Sequence, residues 1–287
     1  METPRINFHN VLTKILFPFI LVSNILLLIF AVSSRLDLAM SFNILLIGNL
    51  VVLFVLEKVL MFRSNWNINL KEFFRDFGYF GFNGLMDTGV KLILGFIVIN
   101  YSSPTRSIPF WISVMIAILI VEFFGYWYHR LGHENHFLWK IHSIHHVPDK
   151  VNLLNNNTAN FLNIVFGTTV KLLPLILLDF DQQSVFIAVS LTTIHSYVVH
   201  MNADVRGGWL NQIFLSPEHH RFHHSTVIHE AKNFGVLLTL WDKVFGTYFL
   251  NEGMTPEIVG VANPDDYPKP FQVVRGFLFP FTKKRLW

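Results

Sequence analysis

The stretch VEFFGYWYHRLGHENHFLWKIHSIHHV, residues 121–147, places six histidines at the end of a hydrophobic segment and just beyond it. Five of them follow the spacings HxxxH and HxxHH: His129, His133, His142, His145 and His146. On a helix, residues three and four apart lie on one face, and imidazole is the commonest metal-binding side chain. The stretch therefore predicts a metal site. Histidines that merely cap helices at a membrane interface would explain one pair, but not two sets so close together.

The composition indicates a membrane protein. Of the 287 residues, 52% are hydrophobic and only 14% are charged, and the mean hydropathy is +0.44, whereas about a quarter of the residues of a soluble domain are charged. The net charge of +3 is small and dispersed, which argues against nucleic-acid binding. Cysteine is absent, so disulfides, thiolate metal sites and cysteine nucleophiles are excluded.

Long apolar runs predict the membrane helices. Four of them occupy the N-terminal half: 15–33, 42–62, a weaker one at 77–100, and 108–128. About 20 apolar residues cross a bilayer. The first run resembles a signal peptide, because Ala31-Val32-Ser33 is similar to a cleavage site, but it is longer than the ~7–15 residues of such a signal, which favours a retained helix.

Two later runs, 161–178 and 184–199, predict either a re-entrant hairpin or an additional helical pair. An even number of crossings would return the chain to the side of the first histidines. With the N-terminus inside, the outer loops contain only Arg35 and Arg106, so the positive-inside rule places the N-terminus and the histidines in the cytoplasm. Asp87 and Lys91, four residues apart, predict a helical ion pair.

The expected fold is thus an all-α, polytopic membrane protein with about four N-terminal transmembrane helices, the later pair and a cytosolic, histidine-rich helical cap. One membrane domain, 1–287, is the economical interpretation. It divides into membrane helices at 1–107, a histidine-containing catalytic region at 108–250 and a proline-containing cytosolic tail at 251–287, which we expect to be solvated.

A third histidine set, SPEHHRFHH at 216–224, repeats the HxxHH spacing in His220, His223 and His224. The three sets supply eight histidines, whereas one structural zinc needs about four ligands. The count therefore predicts two metal ions. A dinuclear site of this kind suits either dioxygen activation by iron or hydrolysis by two metals.

Four segments together resemble the fatty acid hydroxylase/sterol desaturase superfamily of membrane di-iron oxygenases: YWYHRLGH at 126–133, LWKIHSIHH at 138–146, SPEHHRFHH at 216–224 and NFGVLLTLWDKVFGTY at 233–248. The resemblance implies a cytosolic histidine-lined cap over a non-haem di-iron centre. It also implies ligand roles for eight histidines: His129, His133, His142, His145, His146, His220, His223 and His224.

Members of the superfamily have further ligands ahead of the last histidine set, where His195 and His200 lie. These two histidines are five residues apart, so they do not lie on one face of a helix. His200 is favoured, because His200-Met201-Asn202 resembles the short HxN element of the family, while His195 is either a ligand or a buried, hydrogen-bonded histidine.

Three residues are candidates for supporting the ligands: Glu122, Asn202 and His219. A ligating imidazole usually donates its second N–H to a carboxylate or carbonyl, and Glu122 lies one heptad before His129 on the same helical face. A solitary interfacial carboxylate is the alternative for Glu122. Asp242 is expected to brace the tail against the cap.

The implied activity is oxidation of a lipid C–H bond with dioxygen, giving an alcohol or a double bond on a sterol or fatty acyl lipid. Two iron ions would be the cofactor, although zinc would replace them during isolation. Electrons would come from a separate cytochrome b5-, ferredoxin- or rubredoxin-like donor, since no haem, flavin or GxGxxG element is visible. The alternatives are a two-metal membrane hydrolase and a non-catalytic metal- or lipid-binding protein. The host membrane would be a bacterial inner membrane or the endoplasmic reticulum.

Overall fold

The computed structural model describes residues 8–101, 108–284 and 286. Within these ranges the chain forms α-helices and short 3-10 turns but no extended strand, so the predicted all-α fold is confirmed. The helices are α1 (Phe8–Ser33), α2 (Leu38–Val59), α3 (Leu70–Tyr101), α4 (Phe110–Glu134), α5 (His136–His146), α6 (Phe161–Leu177), α7 (Gln182–His200), α8 (Pro217–His223), α9 (Leu240–Val244) and α10 (Val273–Leu278).

Three helices of the described chain are long and apolar enough to cross a membrane: α1, α2 and α4. They match three of the four predicted N-terminal spans. Their outer faces are apolar, as Phe19 on α1 (65% exposed) and Ile44 on α2 (59% exposed) illustrate. A lipid environment accommodates such faces, because lipid tails are as apolar as the side chains.

The fourth predicted span, 77–100, lies in α3, which is not one of these three candidates. The predicted ion pair of α3 does form, with Lys91 Nζ 2.6 Å from Asp87 Oδ2. The later predicted pair corresponds to α6 and α7, and α6 is apolar but short, at 17 residues. Arg106, one of the two outer-loop arginines in the charge distribution, lies outside the described residues.

Helix α4 is central to the bundle. It packs against α5, α6 and α7, while α3 packs outside α6, and α1 and α2 pack outside α7. Small residues lie where the central helices meet: Ala117 of α4 and Ala188 of α7 are fully buried together with Leu175 of α6. Small side chains allow helix backbones to approach closely, so α4 is held firmly on both sides.

The chain leaves and returns to one end of this bundle through α6 and α7. At the far end, the Asp181 carboxylate caps α7 by accepting from Ser184 N (2.8 Å) and also accepts from Ser113 Oγ near the start of α4 (2.7 Å). A side-chain acceptor satisfies backbone N–H groups that a helix start leaves unpaired. As a result, the last turns of α4 and α7 lie at the same end, next to α5 and α8.

Part of the tail is folded against the cap, whereas its end at Lys283 and Lys284 is exposed, in line with the expectation of a solvated end. Lys140 Nζ of α5 donates to the Thr282 carbonyl at 2.6 Å, and Trp139 Nε1 donates to Tyr267 Oη at 2.9 Å. Phe279 is only 4% exposed. The prolines and charges of the tail suggested solvation, but its few apolar side chains bury enough surface to dock it.

Glu57, near the end of α2, connects three parts of the chain. Its Oε1 accepts from Leu153 N and from Asn202 N, both at 2.6 Å, and the residue is 4% exposed. In the sequence, Glu57 only interrupts an apolar run. In the structure, its carboxylate holds the segment after α5 and the segment after α7 against α2.

Glu57→Ala should therefore destabilise the protein, because it leaves two buried backbone N–H groups without an acceptor. Each unpaired buried donor costs about 1–3 kcal/mol, so for two of them we expect the free energy of unfolding to fall by about 2–6 kcal/mol. Thermal unfolding of the detergent-purified chain measures this effect, with the exposed Glu252→Ala as the matched control. Equal midpoints for the two variants would contradict the role of Glu57.

Candidate metal centre

Nine histidines lie in two adjoining groups at the end where α4, α5, α7 and α8 meet. The first group contains His129, His133, His142, His146 and His223; the second contains His145, His200, His220 and His224. Within each group, one ring nitrogen of every member lies within 4.8 Å of the others. The rings of His146 and His224 stack at 4.3 Å between centroids, so the two groups are in contact.

The closest nitrogens in each group already have the spacing of two ligands on one ion. His142 Nε2 lies 3.0 Å from His146 Nε2, and His220 Nε2 lies 3.1 Å from His224 Nε2. Imidazole nitrogens bind a metal at about 2.0–2.1 Å, so two of them on one ion lie about 3 Å apart or slightly more. Each group thus has a geometry that fits one metal ion.

Backbone carbonyls fix the orientation of three rings. The Nδ1–H groups donate to carbonyls at 2.7–2.9 Å in the pairs His129–Phe234, His200–Asn152 and His223–Lys232. The Nε2 atoms of the same rings are buried and have no hydrogen-bond partner among the described residues. An unpaired buried polar atom costs about 1–3 kcal/mol, and a metal ion would give each one a partner. This donor arrangement is the one that metal-binding histidines use.

Burial also keeps the clustered imidazoles of α5 and α8 neutral. For the histidines of α5 and α8 in the two groups, burial lowers the pKa well below its ordinary value, and neighbouring imidazoles lower it further: His142, His145, His146, His220, His223 and His224. Only the neutral ring has a lone pair for a metal. The cluster is therefore in the ligand-competent protonation state at neutral pH.

Of the ten histidines predicted as ligands, His195 lies outside both groups. Its Nε2 donates to the Leu215 carbonyl at 2.7 Å, and its ring packs edge-on against Phe17. Because His195 and His200 are five residues apart on α7, their side chains lie on different faces of the helix. His195 thus corresponds to the buried, hydrogen-bonded alternative, whereas His200 lies 5.0 Å from His145 between ring centroids.

Glu122 does not contact a histidine, contrary to the prediction. Its Oε2 accepts from the backbone N–H groups of three consecutive residues at 2.9–3.3 Å: Val236, Leu237 and Leu238. The loop that contains these residues begins at Phe234, whose carbonyl accepts from His129. Glu122 therefore positions His129 through the loop, because the loop and not the carboxylate lies beside the imidazole.

The other two supporting candidates also lie away from the groups' nitrogens. Asn202 exchanges two hydrogen bonds with the backbone of Arg63, at 3.0 and 2.9 Å. His219 caps α8, since its Nδ1 accepts from Ser216 N at 3.2 Å, and its Nε2 lies 3.3 Å from Tyr248 Oη. Both residues stabilise the segments that carry His200 and His220, and neither contacts an imidazole of the two groups through these bonds.

Asp242 holds the other side of the same loop. Its carboxylate accepts from Phe234 N at 2.8 Å, Gly235 N at 2.9 Å and Thr247 Oγ1 at 2.7 Å. Burial raises the pKa of Asp242 to about 6. A Cβ at Gly235 would lie 2.6 Å from the Leu238 carbonyl oxygen, so only glycine fits this turn. Asp242 braces this loop, whereas the sequence predicts that it braces the tail.

The hydrogen-bond partners of the histidines are not predicted by the sequence. Asn163 Oδ1 lies 3.2 Å from His142 Nδ1, but one asparagine at the start of an apolar helix has no distinctive pattern. The remaining partners are the carbonyls of Asn152, Lys232 and Phe234. Every residue has a carbonyl, so no signal in the sequence identifies these three.

A cavity of about 690 Å³ opens beside the first group. His133, His146 and His223 line it, whereas no histidine of the second group does. Its other walls come from the end of α4, the loop after α8, the segment after α9 and the tail. The two groups consequently differ in access to this cavity, which adjoins only the first; in the second group three histidines are buried and His220 is partly exposed.

Comparisons with known proteins agree with this site. Residues 114–247 match the profile of the fatty acid hydroxylase family, and this segment holds all nine clustered histidines. The match confirms the predicted resemblance of residues 114–247 to the fatty acid hydroxylase family. No solved structure matches the chain significantly.

Relatives in this superfamily include the ornithine lipid hydroxylase OlsE of Rhizobium tropici, which is 26% identical over 96% of this chain and 86% of its own length. The alkylglycerol monooxygenase of Homo sapiens is 31% identical over 57% of this chain and 36% of its own. The fatty acid hydroxylase vlmA of Lecanicillium sp is 30% identical over 48% and 42%, respectively. The chain thus spans less than half of the latter two relatives.

The different positions of His200 and His195 give a direct test. His200→Gln should lower the metal content from about two ions per chain to about one, because each imidazole-bound ion needs about four ligands. His195→Gln should retain about two, since glutamine can still donate to the Leu215 carbonyl. Elemental analysis of zinc-loaded, purified protein measures both variants. Equal metal loss would contradict the assignment of His200 and not His195 to the second group.

Proposed function

We propose that this chain is a membrane-bound di-iron oxidoreductase that uses dioxygen to hydroxylate a C–H bond of a lipid. The observation that carries the proposal is the pair of adjoining, all-histidine groups, one of which opens onto a cavity. The proposed ligands are the nine clustered histidines. The match to the fatty acid hydroxylase family and the relatives support the class of reaction.

Iron bound at the two groups would supply the activation of dioxygen that oxidises an unactivated C–H bond. The chain's own residues hold the ligands still and keep water away. Carbonyl partners fix His129, His200 and His223, and burial keeps the α5 and α8 imidazoles neutral. The walls contributed by Phe234 and Trp139 would place an alkyl chain beside the first group.

The substrate is proposed to be a lipid with a long alkyl or acyl chain. The names of the relatives refer to an ornithine lipid, alkylglycerols and fatty acids, and such a chain is the feature these lipids share. All three names denote hydroxylation or monooxygenation, which favours hydroxylation over desaturation. None of the three names refers to a sterol, so a sterol is the less favoured substrate.

The two-metal hydrolase is less well supported. Such an enzyme would use a carboxylate to bridge its metals, but neither histidine group of the described chain includes an aspartate or glutamate. The two acids within the histidine sets are otherwise engaged: Glu134 pairs with Arg130 at 2.8 Å, and Glu218 accepts from Gly207 N and Asn211 Nδ2, both at 2.8 Å. A non-catalytic protein would have no need for both complete groups and an adjoining cavity.

Isotope labelling tests the reaction. Protein loaded anaerobically with ferrous iron and given labelled dioxygen, a reductant and mixed membrane lipids should yield a lipid that contains one labelled oxygen atom. Mass spectrometry of the extracted lipids measures the product. His145→Ala, which removes a ligand of the second group, should lose metal and product together. Lipids that gain neither labelled oxygen nor a double bond would overturn the proposal.

The absence of cysteine makes the proposed topology testable. We propose that the histidine end faces the cytoplasm, as the distribution of Lys and Arg predicts. Ser34→Cys, between α1 and α2, should react with a membrane-impermeant maleimide in intact cells. Ile228→Cys, at a position that is 88% exposed on the histidine side, should react only after the cells are permeabilised. The reverse labelling pattern would contradict the orientation.

A further inference from the structure

Four charged side chains line the cavity: Arg130, Glu134, Lys232 and Asp266. Three of them are neutralised by ion pairs. Arg130 Nε lies 2.8 Å from Glu134 Oε1, and Asp266 Oδ1 lies 3.0 Å from Lys284 Nζ. The ammonium group of Lys232 makes no ion pair with any part of the chain that the structure describes. Among the described residues that line the cavity, Lys232 therefore has the one uncompensated positive charge.

Lys232 is also adjacent to the histidines. Its carbonyl accepts from His223 Nδ1 at 2.9 Å, and its side chain is half-buried in the cavity wall. A lysine ammonium lies at the end of a flexible four-carbon stem. A group bound by this ammonium would thus lie in the same cavity as the first histidine group. The neighbouring walls are apolar, for example Ile228, Phe234 and Val261.

We propose that Lys232 makes the cavity selective for lipids that carry an anionic group, a carboxylate or a phosphate, near the carbon that is oxidised. This inference rests on the proposed function, because it names the substrate class of the same site. An anion that enters a half-buried cavity loses hydration, and a hydrogen-bonded cation offsets that loss. A neutral lipid could accept a hydrogen bond from the Lys232 ammonium but would not offset its charge.

The test compares probes that share one alkyl chain: decanoate, decyl phosphate and decanol. Isothermal titration calorimetry on the detergent-purified full chain, with probes below their micelle concentrations, measures the affinities. We expect at least one anionic probe to bind about tenfold more tightly than decanol, which corresponds to about 1.4 kcal/mol. Tighter binding of decanoate would assign the anion as a carboxylate, and tighter binding of decyl phosphate would assign it as a phosphate.

Three variants separate the charge of Lys232 from its structural surroundings. Lys232→Gln should lose the preference for the anion and Lys232→Arg should keep it, while the backbone carbonyl that holds His223 stays in place. Lys71→Gln removes a positive charge from an exposed position on α3 and should bind like the unmodified protein. Equal affinity for the anionic probes and decanol, or an anion preference that survives in Lys232→Gln, would overturn the inference.

Metal content and incorporation of labelled oxygen are measured on the same preparations. A chain that binds anionic probes through Lys232 but never oxidises a lipid would contradict the proposed function and leave this inference standing. A chain that oxidises lipids without regard to their charge, in the unmodified protein and in Lys232→Gln alike, would contradict the inference alone.

Discussion

The convergence of nine imidazoles, six of them buried and three partly buried, at one end of a helical bundle is the constraint on which the rest of the structure depends. Each buried ring has two nitrogens that need partners, and an unpaired one costs about 1–3 kcal/mol. The protein supplies carbonyl or amide partners on the outer side of four rings, those of His129, His142, His200 and His223. The inner nitrogens converge in two groups. A bound metal ion would offset the energetic cost of bringing these nitrogens together. The fold therefore holds them as a preformed set of metal ligands.

The loop that starts at Phe234 shows how the bundle maintains this arrangement. Two buried carboxylates hold it from opposite sides: Glu122 from α4 accepts three of its N–H groups, and Asp242 accepts two others. The carbonyl of Phe234 is thereby fixed beside His129, on the same helix as Glu122. A carboxylate that accepts several backbone N–H bonds fixes a loop more strictly than apolar packing does, because hydrogen bonds are directional. The helix therefore orients its own histidine through a segment more than a hundred residues away.

Much of the site could be predicted because its signal is local. The spacings HxxxH and HxxHH are short enough for one helical face to explain them, and the nine clustered histidines were all identified in this way or through the HxN resemblance of His200. The predictions that failed concern contacts between distant parts of the chain. Glu122 was expected to reach His129, yet its partners lie 114–116 residues away. The number of spans stays a prediction, since periodicity alone does not separate a buried helix from a membrane helix.

The two histidine groups differ in more than their number of members, and the helix order explains why. The first group takes two histidines from α4, whose last turn lies at the cavity, and the second takes His200 from α7. α7 is covered by α1 and α2 on one side and by α4 on the other, and the Asn152 carbonyl that holds His200 lies in a segment fixed by Glu57. The second group therefore lies beside the packed helices of the bundle, with only His220 of its four histidines partly exposed. The first group adjoins the cavity, whose walls come largely from loops and the tail, and loops accept sequence changes more readily than packed helices do. A lipid in this cavity, as proposed, would therefore meet the side chains of those loops beside histidines that the helices hold.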